Sequence, residues 1–228
     1  MKKIIRFLVC MVLCAVFTLS LPLGALADEA PQDSGAKLMA ITFDDGPGDY
    51  TLDLLDALAQ RGVKATFFIT GSRVSAYPGV LDAIAAGGHQ LANHTHNHKN
   101  LNTLTAEQVS KEVNATRDLL VAAGGEQTYY VRAPYGNANS TVKSAVDAPL
   151  IYWSVDPEDW KYRNADTVYN NIVKNAYDGC IILCHDVYKT TVNGALRAID
   201  TLQSQGYEFV TVEQLLTRRG ITPENGVV

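Results

Sequence analysis

Short apolar runs alternate along the chain with longer segments in which apolar residues recur every three or four positions. The short runs are typical of buried strands, and they predict seven strands, over 38–43, 65–70, 89–92, 128–132, 150–155, 181–183 and 207–210. The longer segments predict helices over 51–61, 80–86, 105–123, 165–177 and 194–205. Thr105 with Gln108 and Thr211 with Gln214 have the spacing of capping boxes, so we expect helices to begin there.

Strands that alternate with helices form a parallel sheet covered by helices. About seven repeats of this unit predict an α/β fold that closes, or nearly closes, into a barrel. In such folds the functional side chains lie at the C-terminal ends of the strands. The residues that follow each predicted strand are therefore the candidates for chemistry.

The first 27 residues have the pattern of an export signal. Basic residues precede an apolar run over 7–23, and Ala25-Leu26-Ala27 offers a small-x-small cleavage site. We expect residues 1–27 to be removed on export, leaving a short linker over 28–36. The alternative is an uncleaved membrane anchor, because the apolar run is nearly long enough to span a bilayer. Either way we expect a bacterial protein that is secreted or attached to the cell surface.

Composition and charge mainly exclude classes of partner and of fold. With 228 residues, 47% of them hydrophobic, the chain suits one globular domain with a substantial core. Without the signal it keeps 16 of its 19 basic residues against 24 acidic ones, a net charge of −8, which predicts no nucleic acid partner. Membrane contact is expected only through a retained anchor, and we expect a monomer.

Two cysteines, Cys180 and Cys184, lie outside the signal segment. In an extended strand their Cα atoms would be about 13 Å apart, which is too far for a disulfide. We therefore expect two buried free thiols, and a fold that depends on its hydrophobic core.

Polar and charged residues follow five of the predicted strands, and the rule for parallel sheets places them on one rim. In chain order they are Asp44 and Asp45; His94, His96 and His98; Arg132, Pro134 and Tyr135; Asp156, Asp159 and Trp160; and His185 and Asp186. Of these, Asp186 is expected to be structural.

The histidine cluster favours a metal site. His94 and His98 are four positions apart, so one helical turn would present both imidazoles on the same side, whereas His96 would point elsewhere. A lone histidine is more often structural, but a pair at this spacing beside carboxylates indicates a metal ion. Two histidines and one carboxylate leave a fourth position for water, as catalytic zinc-type sites require.

Asp44 and Asp45 would repel each other unless a cation lay nearby. One of them can complete the metal site, and the other can accept a proton from water as it attacks a carbonyl carbon. Gly46-Pro47-Gly48 predicts a tight turn that brings the backbone close to the site. An Asp-Asp pair by itself is as often a turn or a helix cap, and it is the histidine pair that favours the catalytic interpretation.

Five short motifs occur in a fixed order: TFDDGP, HTHNH as H-T-x-x-H, RAPYG, DPEDW, and LCH as L-x-H. Together they resemble the NodB-type polysaccharide deacetylases, carbohydrate esterase family 4, over Lys37 to about Leu216. The resemblance implies a distorted (β/α)7 barrel in one domain over 37–220, with a tail over 221–228. It also implies a hydrolase that removes N-acetyl groups from N-acetylhexosamine units of a glycan such as peptidoglycan or chitin, releasing acetate.

The resemblance assigns one divalent metal ion to Asp45, His94 and His98. Zn²⁺ is the preferred ion, and Co²⁺, Ni²⁺ or Mn²⁺ would also suit these ligands. Asp44 would be the general base, and Arg132 would pair with it and orient it.

His185 would be the general acid that protonates the leaving amine. Asp156 is the first choice for the carboxylate that orients it and Asp159 the second, because both lie in DPEDW and the spacing does not decide between them. The backbone N–H of Tyr135 would bind the oxyanion. The residues implied to contact the substrate are Tyr135, Trp160 and Leu183, although a Trp or Leu next to a strand is a core residue by default.

Two other functions stay open. An esterase that removes O-acetyl groups from xylan would use the same machinery on an easier leaving group. A catalytically inactive carbohydrate-binding protein would have lost a metal ligand, the base or the acid, whereas this sequence retains all three. A metalloprotease is disfavoured because no H-E-x-x-H motif is present.

Overall fold

The structure is a computed structural model that describes residues 35–124 and 129–225; the predicted signal segment and most of the predicted linker lie outside these ranges. The strands are β1 Lys37–Asp44, β2 Thr66–Ile69, β3 Gln90–Asn93, β4 Ile181–His185 and β5 Tyr207–Phe209. The helices are α1 Thr51–Gln60, α2 Val80–Ala86, α3 Ala106–Gly124, α4 Ser140–Ala145, α5 Asp159–Tyr162, α6 Ala165–Asn175, α7 Lys189–Ser204 and α8 Val212–Arg218. Short 3₁₀ turns lie at Gly71–Ala76, Leu101–Thr103 and Pro134–Gly136.

The strands pair in parallel in the order β3-β2-β1-β4, and β5 pairs with the first residues of β1. Isolated parallel bridges continue the sheet beyond β3, where Asn93 pairs with Val131 and Val131 with Leu150. The same chain segment then reaches β4, where Val155 pairs with Ile182. These pairings lead around an irregular ring, which confirms the α/β fold and agrees with a distorted barrel.

Two of the seven predicted strands are wrong. Residues 128–132, as far as they are described, and residues 150–155 contribute only single bridges. The physical reason is the buried side chain of Arg132, whose Nε donates to the carbonyl of Ile151 and whose Nη2 donates to that of Tyr152. Because these carbonyls accept from a side chain, they do not form a regular ladder.

The predicted helices are present with shifted ends, and α4 and α5 were not predicted. Both predicted capping boxes form, since the Thr105 and Thr211 side chains accept from the amides of Gln108 and Gln214. The two cysteines outside the predicted signal are buried free thiols, as expected. Among the described helices, none combines the length and apolar character that a membrane span needs.

β1 explains why the site lies at one end of the sheet. Met39, Ile41 and Phe43 pack into the core between the sheet and the outer helices. The alternate residues face the other side, where Leu38 and Ala40 join a second apolar cluster. Further along this face the side chains become polar, with Thr42 and then Asp44, both buried. β1 therefore ends with a buried carboxylate at the edge of the sheet where the C-terminal ends of the strands lie.

Gly194 lies where α7 packs against α6. A Cβ placed here would lie 2.6 Å from the Ala165 carbonyl oxygen and 2.8 Å from Cβ of Val168. We expect Gly194→Ala to lower the free energy of unfolding by about 1–3 kcal/mol, because overpacking outweighs the roughly 1 kcal/mol by which alanine normally favours a helix. Chemical denaturation measures this difference.

The matched control is Asn193→Ala, one residue earlier on the exposed face of α7. It also gains helix propensity, although less than a glycine-to-alanine change does, and it adds no new contact, so its stability should equal or exceed that of the unaltered chain. A Gly194→Ala protein as stable as this control would show that the contact between α6 and α7 is not tight.

Candidate active site

The C-terminal ends of four strands lie side by side. Asp44 of β1 aligns with Phe68 of β2 and with His185 of β4, while Asn93 ends β3 opposite Ile69. The residues that follow these strands share one rim, as the parallel arrangement predicts.

The rim encloses a cleft of about 530 Å³. Nine of the eleven candidate residues line it, namely Asp44, Asp45, His94, His98, Tyr135, Asp156, Trp160, Leu183 and His185. The other two, Arg132 and Asp159, are fully buried behind the wall. Ala133 and Trp153 also line the cleft and were not predicted. Trp153 lies inside a predicted strand, where an aromatic residue is a core residue by default. Only the alternation of side chains between the two faces of that strand could have indicated that Trp153 faces the cleft.

Asp45, His94 and His98 each offer a ligand atom, and these atoms all lie within 4.8 Å of one another. Nε2 of His94 lies 3.5 Å, and Nε2 of His98 3.3 Å, from an oxygen of Asp45. Nδ1 of His94 is 2.8 Å from the Arg132 carbonyl oxygen, and donation to that oxygen leaves Nε2 available as a ligand. Burial lowers the pKa of His94 to about 3, so the ring is neutral. Two nitrogens and one oxygen in this arrangement fit a divalent ion.

The expected helical turn over His94 to His98 is wrong. Thr95 and His98 have φ of 66° and 52°, so the residues after β3 form an irregular loop, and the Gly71 amide donates to the Thr95 carbonyl. The loop still brings the rings of His94 and His98 to a centroid distance of 4.9 Å. His96 points away from the ligands, and its Nδ1 is buried beside Gly71.

Asp44 is held by Arg132, whose Nη1 lies 2.7 Å from Oδ1 of the carboxylate. The same Nη1 donates to the Thr42 hydroxyl at 2.7 Å, and the guanidinium packs on the ring of Phe68 at 3.9 Å. Burial raises the pKa of Asp44, and the positive charge of Arg132 opposes this shift. Oδ2 faces the metal ligands, 3.7 Å from Nε2 of His94. One carboxylate oxygen is therefore fixed and the other is directed into the site.

The expected contact from Asp156 to His185 is wrong, and the second choice, Asp159, makes it. Nδ1 of His185 is 2.9 Å from Oδ1 of Asp159. Oδ2 of Asp159 accepts from the His185 amide and from the Thr191 hydroxyl, both at 2.8 Å. Asp156 instead accepts from the Glu158 amide at 2.7 Å. It therefore forms the turn that leads into α5, and that turn carries Asp159 inward.

The position of Asp159 controls the charge of His185. Burial alone would lower the pKa of His185, but the hydrogen bond and the charge of Asp159, followed by Asp44 and Asp45, raise it to about 9. His185 is therefore protonated at neutral pH. Since Nδ1 is occupied by Asp159, Nε2 is the atom that can donate into the cleft.

Tyr135 has a left-handed backbone, with φ of 61°, and its ring packs edge-on against His98 at a centroid distance of 4.9 Å. Within the part of the chain that the structure describes, the Tyr135 amide N–H donates no hydrogen bond. Trp160 is half exposed and Leu183 is buried, and both line the cleft. The site thus combines an unpaired amide donor with an apolar wall.

The fold and this site define a class of protein: an α/β barrel-like domain in which two histidines and one carboxylate that could hold a metal ion lie beside a second carboxylate and a protonated histidine. The chain belongs to the polysaccharide deacetylase family, which matches residues 32–151. It is 39% identical over 196 residues to the peptidoglycan-N-acetylglucosamine deacetylase PgdA of Listeria monocytogenes, covering 86% of this chain and 42% of that protein. The chain spans about two fifths of the length of the first curated relatives that it matches.

Solved structures agree with this membership. The peptidoglycan deacetylase PdaC from Bacillus subtilis superimposes with a TM-score of 0.78 at 39% identity, over 81% of this chain and 92% of that one. A family 4 acetyl xylan esterase from Clostridium thermocellum, in complex with a cobalt ion, gives a TM-score of 0.77 at 30% identity, over 82% of this chain and 93% of that one.

The ligand geometry predicts that the purified chain binds one divalent ion. His94→Ala should weaken Zn²⁺ or Co²⁺ binding by more than about 100-fold, because changes in residues that merely orient ligands already cost 10–100-fold. Titration calorimetry on the metal-stripped protein measures the affinity. His96→Ala is the matched control and should bind like the unaltered chain; an equal loss in both variants would contradict the assignment of ligands.

Proposed function

We propose that this protein is a hydrolase that removes N-acetyl groups from N-acetylhexosamine units of a peptidoglycan-like or chitin-like glycan, releasing acetate and leaving free amines. One observation carries the proposal. A buried carboxylate with one open oxygen, Asp44, and a protonated histidine, His185, line the same cleft as the three proposed metal ligands. The names of PgdA and PdaC as peptidoglycan deacetylases support it.

Asp45, His94 and His98 would hold the metal ion, and Zn²⁺ is the ion we propose, with Co²⁺, Ni²⁺ or Mn²⁺ suited to the same donors. When bound, the ion would polarise the acetyl carbonyl and make water more acidic. The cobalt ion in the related esterase supports a divalent ion in this family.

Asp44 is the proposed general base. Its Oδ1 accepts from Arg132, so Oδ2 is the oxygen that can take the proton of the attacking water. Arg132 fixes the carboxylate plane, because four of its five N–H donors are engaged by Asp44, Thr42 and two backbone carbonyls. The base therefore needs no reorientation when the water attacks.

His185 is the proposed general acid, which gives its Nε2 proton to the amine nitrogen as the C–N bond breaks. An amide nitrogen departs poorly unless it is protonated, so the acid must be charged beforehand. The free N–H of Tyr135 would donate to the oxyanion of the tetrahedral intermediate. Trp160 and Leu183, with Trp153, would receive the acetyl methyl.

The experiment that tests the proposal measures acetate and new free amines released from chitooligosaccharides and peptidoglycan, with the metal removed and then restored. Asp44→Asn is the sharpest variant, because it preserves shape but cannot accept a proton. We expect at least a 100-fold loss of kcat, in the range that general base catalysis contributes, with metal binding retained. Near-normal turnover by this variant would show that Asp44 is not the base.

The pKa of His185 predicts a pH profile. Activity should fall as pH rises through about 9, where His185 loses its proton. Asp159→Asn removes the negative charge that raises this pKa, so the alkaline limb of kcat/KM should move to lower pH, with lower activity at neutral pH. Asp156→Asn is the matched control and should leave the limb in place. If Asp156→Asn moved the limb and Asp159→Asn did not, the observed pairing would be contradicted.

A second candidate is an O-acetyl esterase, favoured by the structural similarity to the acetyl xylan esterase. The same cleft could serve, and an ester leaving group depends less on protonation by His185. Acetate from acetylated xylan but not from chitooligosaccharides or peptidoglycan would establish this function. Glycan binding without any acetate release would instead indicate an inactive carbohydrate-binding protein.

The proposed place of action is outside the cytoplasm, either secreted or at the cell surface. The basic and apolar pattern of the first 27 residues supports it, as does a glycan substrate of the cell wall type. We propose a monomer, since this one chain supplies the proposed base, the proposed acid and the proposed metal ligands.

A further inference from the structure

A second cleft, of about 490 Å³, adjoins the candidate active site. Asp45 and His98 line both clefts, so the metal ligands form the ridge between them. The remaining residues that line the second cleft are Thr70, Ser72, Arg73, Asn97, Val187 and Tyr188. A glycan with one acetyl group in the first cleft would therefore place a neighbouring unit of the chain over the second.

Arg73 supplies a positive charge to the second cleft, whose lining also includes the carboxylate of Asp45 on the ridge. Its Nε donates to the Pro47 carbonyl at 2.9 Å, and the guanidinium lies over the ring of Tyr77 at 5.7 Å and interacts with its hydroxyl. Within the described residues no carboxylate forms an ion pair with Arg73, whereas Arg61, Arg132 and Arg197 each have one. An arginine carries five N–H donors, so Arg73 keeps donors for an acceptor in the cleft.

The contacts of Arg73 also fix its position. The Pro47 carbonyl belongs to the turn that follows Asp44 and Asp45, so the guanidinium is anchored to the same loop as the base and a metal ligand. A planar guanidinium held in this way matches the two oxygens of a carboxylate. The chain is otherwise acidic, with a net charge of −5, so an anionic ligand needs a local cation.

We propose that the second cleft is a subsite for a carboxylate carried by the glycan, and that Arg73 recognises it. This rests on the proposed function and narrows its substrate to an anionic, muramic-type glycan in preference to a neutral chitin chain. Such a glycan has two sources of carboxylate. One is the lactyl ether group, which is free once the stem peptide is removed, and the other is the stem peptide itself.

The test compares kcat/KM on three substrates: neutral chitooligosaccharides, glycan strands freed of peptide by an amidase, and intact peptidoglycan. Arg73→Gln should lower the ratio of kcat/KM on a carboxylate-bearing glycan to that on the neutral one by about tenfold, mainly through KM, as expected for a lost charge-assisted hydrogen bond. Arg73→Lys should recover part of this ratio. Arg117→Gln, on α3 and outside both clefts, is the matched control for charge and should leave the ratio unchanged.

A loss on peptide-free strands would assign the subsite to the lactyl carboxylate, and a loss confined to intact peptidoglycan would assign it to the stem peptide. An equal loss on charged and neutral substrates would overturn the proposal, because Arg73 would then only support the Pro47 turn. An unchanged ratio would overturn it as well.

Absence of acetate from every substrate with the unaltered chain would contradict the proposed function instead. In that case calorimetry with the peptide-free strands and with chitooligosaccharides decides the subsite. Tighter binding of the strands that Arg73→Gln abolishes would support it, and equal binding of both glycans would overturn it.

Discussion

The buried ion pair between Arg132 and Asp44 is the constraint on which the rest of the site depends. Two charges removed from water are costly, and the cost is offset only when the pair is well aligned and makes further hydrogen bonds. Arg132 makes four such bonds, to Asp44, Thr42 and the carbonyls of Ile151 and Tyr152. Loss of one partner would leave an unpaired buried charge, at a cost of about 3–5 kcal/mol. The ion pair therefore connects β1 to the irregular segment that contains Ile151 and Tyr152.

Asp44 and Asp159, the carboxylates assigned to the proposed base and to the orientation of the proposed acid, have opposite surroundings. Asp44 has one oxygen engaged and one open, so it can still accept a proton. Asp159 has both oxygens filled, by the ring and amide of His185, the Trp160 amide and the Thr191 hydroxyl. Four donors hold its carboxylate in place, and its hydrogen bond and charge raise the pKa of His185. Environments that separate the behaviour of similar groups in this way would create the proposed base and the proposed acid in one cleft.

Sequence patterns could predict the central strands and the rim, because short runs of mainly apolar residues end directly at Asp44 and at His185. They could not predict the irregular part of the ring around residues 150–155. There the side chain of Arg132 donates to backbone carbonyls that would otherwise accept from a neighbouring strand. Nor could they decide between Asp156 and Asp159. That choice depends on Glu158, whose φ of 54° turns the backbone so that the later aspartate faces inward. Local propensities do not encode such a turn.

Backbone strain is concentrated at the same place. Asp45, His98 and Tyr135 have φ of 69°, 52° and 61°, in a region that non-glycine residues rarely adopt. Each such residue costs of the order of 1 kcal/mol or more, and it persists only where its surroundings over-determine it. Hydrogen bonds supply this support, since the Thr70 amide donates to the Gly46 carbonyl at 2.8 Å. The folded core thus supports the ligand geometry, and little ordering remains to oppose metal or substrate binding.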